Sequence, residues 1–91
     1  MAKVVVTLRI MPESPDVDLN NLEKKVLKKI KDVIGNTETK VEREAIGFGL
    51  NALKIFFVMD EQRGTDKIED AVRNIKDVQS VDITDVRRAI G

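Results

Sequence analysis

The chain has 91 residues, 42% of them hydrophobic, which is enough for one small domain with a single core and too little for two. Its 16 basic and 16 acidic residues cancel, so the strong basic bias of a nonspecific nucleic-acid binder is missing, although a local patch stays open. Cysteine and histidine are absent, which excludes disulfides and thiolate sites and removes the commonest general base and metal ligand. No run of roughly 18 apolar residues and no basic-then-apolar leader occurs, so a cytoplasmic protein without membrane span or signal peptide is expected.

In chain order, Lys3 to Met11 opens with Val4, Val6, Leu8 and Ile10 on one side and Thr7 and Arg9 on the other, the alternation of a half-buried strand. Pro12 ends it, and Glu13-Ser14-Pro15-Asp16 has the chemistry of a loop. Leu19, Leu22, Val26, Ile30 and Val33 then fall three or four apart, with Leu27 and Ile34 widening the stripe, which predicts an amphipathic helix. Asp16 or Asp18 is placed to cap its start, and Gly35-Asn36 to stop it. Lys24, Lys25, Lys28, Lys29 and Lys31 populate the outer face; with no aromatic residues interleaved for base stacking, they read as a solvated surface.

Thr37 to Ile46 is thin in apolar residues and crowded by Lys40, Glu42, Arg43 and Glu44, which fits an exposed edge strand. The stretch Ala45–Met59 holds all three aromatic residues, Phe48, Phe56 and Phe57. Leu53 to Met59, interrupted only by Lys54, reads as a strand covered at least partly on both faces. Gly47 and Gly49 permit a turn that carries Phe48 at its tip. On the residues alone, the reading favoured for Phe48 is that its ring folds back over the sheet edge. Asp60-Glu61-Gln62-Arg63-Gly64 is a polar loop. A second helix follows, capped by Thr65 or Asp66, with Ile68, Ala71, Val72 and Ile75 on one face. Val78 to Val86 forms the last strand, Val81 and Ile83 facing inward, and Arg87-Arg88-Ala89-Ile90-Gly91 is a tail.

The order βαββαβ in one small domain, residues 1–91, predicts an α+β ferredoxin-like plait: a four-stranded antiparallel sheet ordered 4-1-3-2 with both helices on one face. Its first two strands run one way and its last two the other. The Phe48 turn is thereby placed at one end of the sheet, beside the Met11–Asp16 loop. The arginines leave at the opposite end, beside the Asp60–Gly64 loop, ~30 Å away at roughly 3.3 Å per residue. A partner touching both must be large or have more than one domain.

Motifs for chemistry are missing: no phosphate loop, dinucleotide fingerprint or metal-ligand cluster is present. Asp16 with Asp18 and Asp60 with Glu61 read as caps and solvated turns. Arg87-Arg88 is open to two readings, a solubilising tail or an electrostatic finger whose guanidinium matches phosphate or carboxylate geometry.

Several segments together carry a resemblance. They are Met11-Pro12-Glu13-Ser14-Pro15-Asp16-Val17-Asp18-Leu19, Ile46-Gly47-Phe48-Gly49-Leu50, Gly64-Thr65-Asp66, Val78-Gln79-Ser80-Val81-Asp82 and Thr84-Asp85-Val86-Arg87-Arg88. In this order and length the chain resembles the elongation factor 1-beta family, both its short archaeal form and the exchange domain of the eukaryotic factor. The resemblance implies the same plait and guanine-nucleotide exchange on elongation factor 1-alpha, the GTPase that delivers aminoacyl-tRNA to the ribosome. It implies no chemistry of the chain's own, no cofactor or metal, and no direct binding of nucleotide, nucleic acid or membrane. In the family, a basic side chain near the C-terminus intrudes at the partner's magnesium site. The aligned position is Arg88, where the eukaryotic factor has lysine, with Arg87 beside it as an alternative. The family's glycine-flanked phenylalanine, matching Phe48 between Gly47 and Gly49, contacts the partner's second domain.

Two rival classes share this fold. A ferredoxin-like RNA-binding module stacks bases on sheet-face aromatics, and the first strand offers none. An acylphosphatase-like hydrolase needs an anion cradle, and the Met11–Asp16 loop is acidic. Fold alone does not choose among the three.

Overall fold

A computed structural model describes residues 2–89. The elements are β1 (Lys3–Pro12), α1 (Leu19–Ile34), β2 (Thr39–Gly47), β3 (Leu50–Asp60), a 3-10 turn (Glu61–Arg63), α2 (Asp66–Arg73) and β4 (Val78–Arg88). The sheet order is β2-β3-β1-β4 and every pair is antiparallel, the ferredoxin-like plait expected.

The alternation of β1 explains its central place. Val4, Val6, Leu8 and Ile10 are buried with Leu53, Ile55, Phe57 and Met59 of β3. Against this surface pack Leu22, Val26 and Ile30 of α1 and Ile68 and Val72 of α2, forming one core. Both helices therefore cover one face of the sheet and leave the other open. Thr39–Gly47 pairs only with β3 and contains no fully buried residue, as an edge strand must.

Asp18, not Asp16, caps α1: its Oδ1 accepts the Asn21 backbone N–H at 3.2 Å. The other end of α1 is held by Arg63, whose Nη1 donates to the Val33 carbonyl at 3.1 Å. Loss of the cap in Asp18→Ala lowers unfolding free energy by about 1 kcal/mol, read as a shift in the urea midpoint at constant slope.

Four sequence-based expectations change. β3 begins at Leu50, three residues earlier than the apolar run, because main-chain pairing of Leu50 with Gly47 closes the hairpin. α2 stops at Arg73, and Ile75 reaches the core from the turn that follows, where its N–H donates to the Val72 carbonyl. Thr65 sits at the start of α2, but its hydroxyl donates to the Glu69 carboxylate and caps no backbone N–H. Arg87 and Arg88 are not tail residues: β4 runs through them, paired with Val5 and Val4 of β1. Ile90 and Gly91, the end of the expected tail, lie outside the described residues.

Candidate partner-binding site at the two ends of the sheet

The β2–β3 hairpin turns on Phe48 and Gly49, between the paired residues Gly47 and Leu50. The register slips at Ile46, a bulge that adds twist just before the turn. Backbone φ is +100° at Gly47, +54° at Phe48 and +77° at Gly49. Positive φ at both central residues is what a tight primed turn requires, and asparagine, aspartate or glycine normally supplies it. Phenylalanine there costs about 1–2 kcal/mol relative to an ordinary backbone conformation.

The ring does not recover that cost by packing. Phe48 is 99% exposed, so the expectation that it folds back over the sheet edge is overturned. The turn geometry is the reason: both glycines flanking Phe48 add no side chain to pack on, and three successive positive φ values carry the tip away from the sheet. The neighbouring loop does come close. A Cβ added to Gly49 would lie 3.7 Å from Pro15 Cβ, which sets the Ser14–Pro15 loop beside the hairpin as the topology required.

At the opposite end, the Ala89 N–H donates to the Lys3 carbonyl at 2.9 Å and extends the β1–β4 ladder past Arg88. Strand alternation sends the two arginines to opposite faces. Arg87 lies on the open face, its Nε 2.8 Å from Asp85 Oδ2. Arg88 turns toward the 3-10 turn, its Nη2 3.3 Å from Glu61 Oε1 and 3.5 Å from Oε2. Asp60 does cap, accepting the Gln62 N–H at 3.0 Å, but its neighbour Glu61 is more than a solvated turn residue. Sequence reasoning missed that ion pair, because 27 residues separate its members.

The eleven residues of β3 join the two ends, and the rises between them, roughly 3.3 Å each, span about 33 Å. The longest dimension of the fold is 42 Å, so Phe48 and Arg88 sit near its poles.

The charges on the open face between them are paired. Arg9 lies 3.2 Å and Lys54 3.9 Å from the Glu44 carboxylate, and Lys40 pairs with Glu42 at 3.1 Å. Phe56 is half-buried there, with Lys40 and Lys54 at 5.9 and 6.0 Å from its ring centre. A shallow groove of about 560 Å³ runs beside it, lined by Val5, Thr7, Lys54, Phe56, Asp85 and Arg87 among others. The five α1 lysines are exposed, as a solvated face requires. No group of three or more potential metal ligands occurs among the described residues, and no helix there is long and apolar enough to cross a membrane.

Comparison with known proteins gives this geometry a context. The family described as the EF-1 guanine nucleotide exchange domain matches residues 5–89. The chain belongs to the elongation factor 1-beta family. An elongation factor 1-beta of Methanothermobacter thermautotrophicus is 42% identical, the match covering 97% of this chain and 98% of that one. That of Methanobrevibacter smithii is 44% identical over the same shares, and that of Natronomonas pharaonis 38% identical over 97% and 99%. A solved structure, the de novo designed protein Foldit4, superposes with a TM-score of 0.64 at 22% identity over 98% of both chains, a likeness of fold alone. Membership of the elongation factor 1-beta family supports a nucleotide-exchange role in translation elongation.

Proposed function

We propose that this protein promotes replacement of GDP by GTP on elongation factor 1-alpha, docking through Phe48 at one pole and acting through Arg88 at the other. The observation that carries the reading is the fully exposed Phe48 on a strained turn. An aromatic ring held out in a costly conformation, with no intramolecular contact, gains free energy only when something else covers it. Gly47 and Gly49 permit the conformation, and the hydrogen-bonded sheet joins the turn to the end that carries Arg88.

No covalent step is needed. GDP on a GTPase is held by Mg²⁺ and by backbone amides around its phosphates. The Arg88 guanidinium, brought to that site, competes electrostatically with the metal for the phosphate oxygens. Arg87 faces the other side of the sheet, which supports a reading of Arg88 as the acting residue and Arg87 as a docking contact. The factor favours the nucleotide-free state only by binding it better than the GDP-bound state. Released GDP is then replaced by GTP, the more abundant nucleotide in cells. In this reading residues 1–91 act as a single exchange domain, and no cofactor enters the step.

The test is release of a fluorescent GDP from elongation factor 1-alpha. Acceleration that rises with the concentration of this protein and saturates is expected. No acceleration of an active GTPase overturns the reading.

A further inference from the structure

Glu61 opens the 3-10 turn, and its backbone N–H donates to the Ala2 carbonyl at 3.1 Å. This bond pins Glu61 at the start of β1, on the side opposite β4, where Ala89 donates to Lys3. Glu61 and Arg88 thus approach the end of β1 from its two flanks, and their side chains meet across it. The guanidinium Nη2 contacts both oxygens of the carboxylate, 3.3 and 3.5 Å away. Among the described residues, Glu61 is the only carboxylate within ion-pair distance of Arg88. The neighbouring Asp60 carboxylate is turned to the Gln62 N–H.

With side chains 74% and 43% exposed, the pair adds little to folding stability. It does determine what Arg88 presents to a partner. A guanidinium beside a carboxylate is half of a neutral pair. The cation is free of its counter-charge only when that contact opens.

We propose that Glu61 is an electrostatic brake on exchange, a residue that acts through Arg88 and tunes how readily it leaves for the partner's phosphates. The proposal rests on the reading that Arg88 acts at that site. Three Coulombic effects have the same sign. Moving the guanidinium to the phosphates breaks its contact with Glu61. Once the metal has gone, the carboxylate left nearby repels the phosphates. While Mg²⁺ is still bound, the same carboxylate is attracted to it. Glu61 therefore favours the metal-loaded complex over the metal-free one, and differential affinity of that kind slows release.

Glu61→Gln removes the charge and keeps the shape. The saturating rate of GDP release is expected to rise about two- to fivefold, the scale set by one exposed ion pair. The gain should shrink toward none as salt is raised from about 0.05 to 0.5 M, because the two charges become screened. It should also be clearly smaller in the Arg88→Ala background, where only the direct effects of Glu61 on the metal and the phosphates are left. A merely structural role for Glu61 would show neither dependence. In the free protein, ¹⁵N relaxation of the Arg88 Nε–H should report greater mobility in Glu61→Gln than in wild type.

If wild type accelerates release but Glu61→Gln is no faster, or gains as much without Arg88, the brake is refuted and the exchange function stands. If wild type does not accelerate release, both fall.

Discussion

Replacing Arg88 with alanine is expected to slow GDP release at saturating factor by about 10- to 100-fold, the range for losing one charge-assisted contact in the proposed exchange-competent state. The half-saturating concentration changes by no more than about fivefold, because an exposed ion pair with the ground-state complex contributes little to docking. Stopped-flow release measured across a titration of the factor separates the two parameters. The Arg88 side chain is 74% exposed and its carboxylate partner is itself solvent-accessible, so the variant keeps its fold. Arg88→Lys retains the charge but loses the planar fork, and is expected to recover only part of the rate. Arg87→Ala breaks only the Asp85 contact on the open face, so it should leave the saturating rate nearly intact. A large shift in half-saturation with an unchanged saturating rate in Arg88→Ala would assign Arg88 to docking instead.

Replacing Phe48 with alanine has the opposite signature. The half-saturating concentration is expected to rise about 30-fold, as for an aromatic anchor worth at least 2 kcal/mol, with the saturating rate preserved. Stability changes by less than about 0.5 kcal/mol, since an exposed ring is removed and no core contact is lost. Phe48→Asn separates strain from contact. Asparagine tolerates the left-handed conformation, so this variant should be slightly more stable than wild type and yet dock as poorly as Phe48→Ala. If Phe48→Asn docks normally, the backbone of the turn and not the ring makes the contact.

These two variants act at opposite poles, which explains why the sequence disclosed them unequally. The plait was legible because each of its signals is local: the alternation of Val4, Val6, Leu8 and Ile10, the three-and-four spacing from Leu22 to Ile30, and the charges along the edge strand. Main-chain closure is not encoded that way. Arg87 and Arg88 lack the apolar alternation of a strand, but β1 begins at Lys3 and offers free backbone groups, so β4 extends to meet them. The exposure of Phe48 depends on three consecutive positive φ values. The Gly47-Phe48-Gly49 pattern announces a turn without fixing which way the ring points. Glu61 was hidden more deeply, since only the plait brings it across β1 to Arg88. Phe56 shows the opposite case. Its neighbour Phe57 is buried, so alternation alone places Phe56 on the open face, where Lys40 and Lys54 stand over its ring.

The proposed mechanism is displacement of a metal from a GTPase by a cation at one pole of the plait. It is tested most directly by fluorescent GDP release from elongation factor 1-alpha at saturating factor, comparing wild type with Arg88→Ala, once in Mg²⁺ and once after chelation. With Mg²⁺ present, wild type should release GDP far faster than Arg88→Ala. After chelation the metal no longer needs displacing, so the two proteins should give the same rate. An Arg88→Ala variant that lags as far behind without metal as with it would contradict the mechanism.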